Sequence, residues 1–394
     1  MTAPTPHSTT HRNPAPPPLP DDIATPAYVL DVAALERNLA TARRIKQQAG
    51  VKMLLATKAW AMPVAFPVMR DTLDGTTASG LYEARLGREE FGKEVHVYAP
   101  AYAAREIDEL VTIADHIYFN SPSQIARFLP AVKKAGKHAG LRINPGFSFV
   151  SLGGDLYNPC APGSRFGTPA DQLDAVPWDD VHTLHAHALC EATHDGSAGL
   201  IAHVAKNFAT YLMRVKAVNF GGGHFVNKPG YDVDKLIAAL KSFREAFPHL
   251  EVVLEPGAGL VVDTGYLVAT VLDTMRNGSD IAILDTSAST HMPDVLEVPY
   301  TPEIIGAGRP GEKRHDYVLG GKTCMTGDVI GTYSFDAPLQ PGDRLVFTDM
   351  MQYSFVKNTT FNGTPLPDIA MLDVDGTYRV VRRYGYQQFR ERLG

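Results

Sequence analysis

Residues 51–60 read VKMLLATKAW: an apolar run of strand length that ends on Lys58, with Ala59 and Trp60 behind it. A strand buried on both faces reads as a near-continuous apolar run, which is the habit of parallel sheets. Further short apolar segments follow at 75–80, 95–100, 116–120, 139–145, 182–189, 217–223 and 251–257. Amphipathic stretches separate them. In 232–247, DVDKLIAALKSFREAF, helical spacing puts Val233, Leu236, Ile237, Leu240 and Phe243 on one face, and Asp232 is placed to cap it. In 121–136, SPSQIARFLPAVKKAG, Ser121 is a cap, Pro122 the first helical residue and Gly136 the stop.

About eight strands alternating with helices predict an α/β fold, a (β/α)8 TIM barrel. A doubly wound sheet shares the alternation, but the strand ends favour the barrel, whose chemistry sits at the C-terminal ends of its strands. Those ends carry Lys58, Ser79, Tyr102, Asn120, Arg142 with Asn144, His187, the Gly221–Gly223 run and Glu255. After Gly265 the pattern changes. Asn277-Gly278 between two apolar runs signals a hairpin, and HDYVLGG (315–321), DVIGTYSF (328–335) and DRLVFTDM (343–350) read as further strands. We therefore expect a barrel over 32–266 and a C-terminal, mostly β domain over 267–394, with 23–31 (including AYVLD, 27–31) returning to it. Residues 1–22, rich in proline, threonine and histidine, read as a disordered tail.

The composition narrows the function classes. With 20% charged residues and a net charge of -6, the chain has no basic bias, which argues against nucleic-acid or anionic-membrane partners. No apolar run approaches the ~20 residues of a membrane span, and the N-terminus has no signal-peptide core. Three scattered cysteines, Cys160, Cys190 and Cys324, form neither a disulfide framework nor a metal-ligand set, so a reducing cytoplasmic setting is expected.

Several features carry possible chemistry, each with a plainer alternative. Lys58 is either a solvated strand tip or an amine in a dry pocket, where desolvation makes it nucleophilic. The glycines of NFGGGH (219–224) either form a turn or bring backbone close to a phosphate; the run is not GxGxxG, so a nicotinamide-dinucleotide reading is weak. Glu255 in LEPG is a structural acid or a partner for a pyridine nitrogen. His185 and His187 share a strand face and suggest either a zinc pair or an imidazole stacked on a ring; no third ligand stands at a standard spacing, and no metal is expected. Cys324, in GGKTCMTGDVIG (320–331), lies among glycines and polar residues, which suits a reactive thiol. The Gly/Pro-rich segments 151–167 and 291–302 read as lids or substrate walls.

In this order, the strand lysine, LRINP, the strand histidine, GGG, EPG, the Gly-flanked cysteine and the late tyrosine resemble the alanine-racemase-like class of pyridoxal-phosphate enzymes. More narrowly, DLYNPCAPGSRFG (155–167), HALCE (187–191), HMPDVLEVPY (291–300), GKTCMTGDVIG (321–331) and YSFVKNTTFNG (353–363) resemble the carboxynorspermidine decarboxylase family, over roughly 25–390. The resemblance implies pyridoxal 5'-phosphate as cofactor and decarboxylation of carboxynorspermidine or carboxyspermidine in polyamine biosynthesis. It implies that Lys58 carries the cofactor, His187 stacks on its ring, Gly221, Gly222, Gly223 and Tyr353 hold the phosphate, and Glu255 faces the pyridine nitrogen. Cys324 would protonate the α-carbon from the partner subunit of a homodimer with active sites at the interface. Glu255, Asp294, Asp328 and Arg142 are the residues expected at the substrate. In related diamino-acid decarboxylases an acid follows the cysteine; here it is Met325, which moves that role to Asp294 or Asp328, with Glu297 nearby. A decarboxylase of another amino acid, of the diaminopimelate, ornithine or siderophore type, and a non-catalytic cofactor-binding homologue remain the alternatives.

Overall fold

The structure, a computed structural model, describes residues 19–149 and 157–394. The expected tail over 1–18 and the start of the first lid segment, 151–156, lie outside the described residues. Residues 19–22, expected within the tail, instead meet the β sheet: Leu19 packs on its small apolar cluster and Arg344 donates to the Pro20 carbonyl at 3.3 Å.

Strand β1 (Ala27–Asp31) leads through Asp31, whose carboxylate caps helix Val32–Ala49 by accepting the Ala34 N–H at 2.9 Å. Then come β2 (Lys52–Ala56), β3 (Gly75–Ala78), β4 (Glu94–Tyr98), β5 (His116–Phe119), β6 (His138–Arg142), β7 (Thr183–His185), β8 (Ala217–Asn219) and β9 (Glu251–Leu254). All pair in parallel and close into a barrel, β9 returning to β2 through Lys52 opposite Val253. The two expected helices are observed as Pro122–Lys134, capped by Ser121, and Val233–Ala246, capped by Asp232, which accepts from Asp234 and Lys235. Among the described residues no helix is long and apolar enough to cross a membrane.

Alternation along the barrel strands explains both the core and the site. On β2, Met53 and Leu55 join the main apolar core, each such buried side chain being worth about 1.5–3 kcal/mol relative to exposure. Lys52 and Ala56 belong to the other face, toward the barrel axis, and the same period of two reaches Lys58 in the turn beyond. β2 thus delivers Lys52 to the barrel's base and Lys58 to its mouth.

The second unit is a sheet in the order β13-β12-β11-β10-β1-β15-β16, with β14 also paired to β10. Its members are β10 (Gly265–Asn277), β11 (Ser279–Leu284), β12 (His315–Gly320), β13 (Val329–Phe335), β14 (Arg344–Thr348), β15 (Asp368–Leu372) and β16 (Tyr378–Arg382). The expected hairpin is present: Asn277 pairs with Ser279 across Gly278, whose φ of 71° is the left-handed geometry glycine adopts without a Cβ clash. The early AYVLD strand does return, antiparallel to β10 and parallel to β15.

Candidate active site

The barrel mouth opens into a cleft of about 680 Å³ lined by Lys58, Arg142, His187, Gly222, Gly223, Glu255 and Tyr353. Seven of the expected site residues therefore converge from well-separated strands and loops. Gly221 sits just behind, its N–H donating to Asn219 Oδ1 at 2.8 Å.

Lys58 is open to the cleft, with protein on its remaining sides. Desolvation lowers its ammonium pKa, and the Arg142 charge lowers it further against the pull of Glu255. A less basic amine is a better nucleophile near neutral pH. Glu255 is 5% exposed. Burial alone would raise its pKa, but His185 and the Asn219 amide outweigh this and hold it at about 2. Asn219 donates to Glu255 Oε1 at 2.7 Å, while His185 Nε2 stands 3.5 Å from Oε2, and burial lowers the pKa of that imidazole despite the pull of the carboxylate. The carboxylate is thus anionic, fixed and aimed into a nearly dry wall.

His187 accepts the Gly222 N–H on Nδ1 at 2.8 Å, which places its own proton on Nε2. Desolvation, then the Lys58 charge, keep it well below the ordinary imidazole range, so it is a neutral flat ring. The glycine run must be glycine for reasons of space: a Cβ on Gly221 would stand 2.5 Å from the His187 ring and one on Gly222 2.6 Å from the Glu255 carbonyl. Gly221 also takes φ +69°. Tyr353 anchors through its N–H to the Ala59 carbonyl at 2.8 Å and packs beside Ala59, Phe225 and Ala258. Arg142, 5% exposed, donates to the His187 carbonyl at 2.8 Å and lies 4.6 Å above the Tyr98 ring and 4.7 Å above Phe166.

Three expected residues lie outside this cleft. Cys324 is exposed on the turn between β12 and β13, its N–H donating to Asn362 Oδ1 at 2.8 Å. Asp294 is held at 2.5 Å by the Lys357 ammonium, which Glu297 shares, so an amine arriving there would compete with Lys357. The expectation for Asp328 is corrected. Its carboxylate is buried and already accepts from Ser287 Oγ (2.8 Å), Ser289 N (3.2 Å), Thr323 N (3.3 Å) and Thr323 Oγ1 (2.6 Å). It organises the Cys324 turn and offers no open face to a substrate. Replacing it with alanine strands several buried donors, and equilibrium denaturation is expected to show a loss of about 2–4 kcal/mol. Tyr102, read as a strand-end group, is likewise structural: its hydroxyl donates to the Tyr118 carbonyl at 3.0 Å.

The structure adds residues that sequence reasoning missed. Asn219, inside the quoted NFGGGH, bridges Glu255 and Gly221. Glu191, the last letter of HALCE, lines the cleft in a left-handed conformation (φ 44°), and burial raises its carboxyl pKa. Cys190, Tyr98 and the loop residues Tyr157 to Pro159 and Ala161 to Phe166 complete the wall; part of the expected lid segment therefore faces the site.

This arrangement suits two kinds of ligand. His185, His187 and Glu255 present donor atoms within 4.8 Å of one another, as for a metal ion. It also suits a phosphorylated pyridine aldehyde: an amine to bind the carbonyl, a buried anion to hold a ring proton, a flat neutral imidazole, and a side-chain-free glycine wall. His185, both of whose ring nitrogens are buried without a hydrogen-bond partner among the described residues, and the partnerless Arg142 Nε are consistent with a polar ligand here.

Comparison with known proteins decides between these. Residues 27–351 match the model of the family described as pyridoxal-dependent decarboxylase, C-terminal sheet domain. The chain is 43% identical to a carboxyaminopropylagmatine decarboxylase of Synechocystis sp., covering 94% of this chain and 96% of the relative. It is 40% identical to a carboxynorspermidine/carboxyspermidine decarboxylase of Campylobacter jejuni, with 94% and 98% covered. The crystal structure of carboxynorspermidine decarboxylase from Campylobacter jejuni, complexed with norspermidine, superposes with a TM-score of 0.87 at 38% identity, covering 94% of this chain and all 100% of that one. A barrel mouth that gathers an activated lysine, a buried anion and a glycine wall, in a chain this similar to such enzymes, belongs to the pyridoxal-dependent decarboxylase family.

Proposed function

We propose that the chain releases the α-carboxylate of a carboxylated polyamine, carboxynorspermidine or carboxyspermidine, as CO2, leaving norspermidine or spermidine. The observation that carries this reading is the pairing, in one cleft, of the less basic Lys58 amine with the anionic, buried Glu255. When bound, pyridoxal 5'-phosphate supplies the sink for the electron pair that departing CO2 leaves behind. Lys58 would hold the cofactor through its carbonyl carbon and would serve in freeing the amine product. Glu255 would keep a proton on the pyridine nitrogen, and Asn219 and His185 keep Glu255 in place. The neutral His187 ring would pack against the cofactor, and Gly221–Gly223 and Tyr353 would hold its phosphate. Arg142 borders the substrate.

Cys324 Sγ returns a proton to the α-carbon in this reading. Because its turn stands outside its own cleft, the thiol is supplied by a second copy of the chain, and the working enzyme is a homodimer with its sites at the interface. The cationic tail of the substrate meets acidic side chains along one wall: Glu191 in the cleft, and beyond it Asp294, which the amine would share with Lys357.

The Synechocystis relative favours a second substrate of the same chemistry, carboxyaminopropylagmatine, whose tail ends in a guanidinium group. CO2 release measured side by side from carboxynorspermidine, carboxyspermidine and carboxyaminopropylagmatine ranks the three. Turnover at least tenfold higher on one of them than on ornithine or diaminopimelate is expected; a preference for either of those amino acids overturns the proposal.

A further inference from the structure

A barrel of this kind is ordinarily filled by layers of branched aliphatic side chains. Here a line of polar side chains runs along the inside of the barrel, from its base to Glu255. Glu94 and His96 come from β4, Tyr118 from β5 and Asn219 from β8. His96, Tyr118 and Asn219 are completely buried. Their contacts are continuous. Glu94 Oε2 lies 3.2 Å from His96 Nε2, and His96 Nδ1 lies 2.6 Å from the Tyr118 hydroxyl. Asn219 Nδ2 lies 3.2 Å from that hydroxyl and 2.7 Å from Glu255 Oε1. Register sets His116 of β5 beside His96 and His138 of β6 beside His116. The His96 and His116 rings stack at 4.1 Å, which hinders the His96 ring from turning.

The donors and acceptors give this line one direction. Lys52 donates to both Glu94 oxygens at 2.8 Å. The His96 contact and the Lys52 charge hold the Glu94 carboxyl at about 2 against the effect of burial. A carboxylate only accepts, so the His96 proton stands on Nε2 and Nδ1 keeps its lone pair. At the other end, Asn219 Oδ1 accepts the Gly221 N–H at 2.8 Å, so the amide turns its two N–H groups toward Tyr118 and Glu255. The phenol oxygen accepts one of them and has its own O–H left for His96 Nδ1. Burial, first of all, keeps that phenol protonated.

We propose that His96 and Tyr118 are positioning residues, which hold the Asn219 amide in the orientation that donates to Glu255. His96 donates to Glu94, Tyr118 to His96, and Asn219 to both Tyr118 and Glu255. Each buried hydrogen bond polarises the next, and a carboxylate held from behind in this way keeps its place through the reaction. The catalytic consequence rests on the proposed role of Glu255; the direction of the hydrogen bonds does not.

The first measurement does not depend on turnover. In the full-length protein labelled with 15N-histidine, the His96 ring is identified by its absence in His96→Asn. It is expected as the Nε2–H tautomer, with an Nδ1 resonance that shifts in Tyr118→Phe toward that of a lone pair without a donor. A proton on Nδ1, or an unmoved resonance in the variant, overturns the proposal. Should Tyr118→Phe fail to fold, neutron diffraction on the parent decides: a deuteron on His96 Nε2, with the Tyr118 deuteron pointing at Nδ1, supports it, and a deuteron on Nδ1 overturns it. The second measurement is kinetic. Tyr118→Phe is expected to lower kcat about tenfold with KM within roughly twofold. In a Glu255→Gln background the same substitution should cost less than about twofold, because it acts through that carboxylate. Equal losses in both backgrounds make the role of Tyr118 merely structural and overturn the proposal. A parent that releases no CO2 from any of the three polyamine acids sinks the proposed function instead, and the histidine resonances alone then judge the line of hydrogen bonds.

Discussion

Lys58→Ala is expected to abolish the colour of the cofactor-loaded protein, its fixation by borohydride, and its turnover. The amine is the group in the cleft able to bind the cofactor's carbonyl, and its lowered pKa is what makes it reactive. Loss of a nucleophile together with the proton transfers it serves costs on the order of 10³-fold or more in kcat. The measurement is CO2 release beside an absorbance spectrum after gel filtration. A variant that decarboxylates at the parent's rate would falsify the assignment. The same variant reads out the dimer. Cys324→Ala alone is expected to lose most of its activity, and mixing the two inactive variants restores it. Random exchange makes about half of the dimers mixed, each with one intact site, so recovery approaches roughly a quarter of the parent's rate. No recovery, despite demonstrated exchange, places Cys324 with its own chain's site.

Glu255→Gln carries the second large effect. Glutamine keeps the size and can still accept from Asn219, but it has no charge with which to hold a proton on the pyridine nitrogen. A fall in kcat of about 10²–10³-fold is expected, with a smaller change in KM, because the missing stabilisation belongs to the charge that develops during reaction. The variant also changes acid stability. Glu255 is shifted from an ordinary 4.5 to about 2 in the folded chain. A depressed carboxylate pKa contributes stability that is complete above the unfolded value and is lost as pH falls through the folded one. The parent's stability should therefore fall between about pH 4.5 and pH 2, and Glu255→Gln should flatten that part of the curve. Equal slopes in the two proteins would show that Glu255 is not the group responsible.

Most of the barrel was legible because parallel strands buried on both faces leave apolar runs that end abruptly on polar residues. Lys58, His187 and Glu255 are such endings, and their convergence follows once the barrel closes. The resemblance supplied what periodicity could not: the cofactor, and roles for Tyr353 and Cys324, which lie beyond the barrel strands. Asp328 shows the limit of both. A carboxylate four residues after a cysteine looks available in a string of letters, yet four donors already surround it in the folded chain.

The sequence by itself determined the order of elements and which residues could stand at the barrel mouth, since strand period and turn chemistry are local properties. Tertiary structure alone decided what those residues experience. Lys58 is made less basic by desolvation in the cleft and then by Arg142, and Glu255 more acidic by His185 and Asn219, through the meeting of strands far apart in the chain. The histidine cluster at the barrel base has the same origin. His96, His116 and His138 are some twenty residues apart in sequence, and only the register of β4, β5 and β6 sets them side by side. Charge and hydrogen bonding depend on distances of a few ångströms, and barrel closure sets those distances.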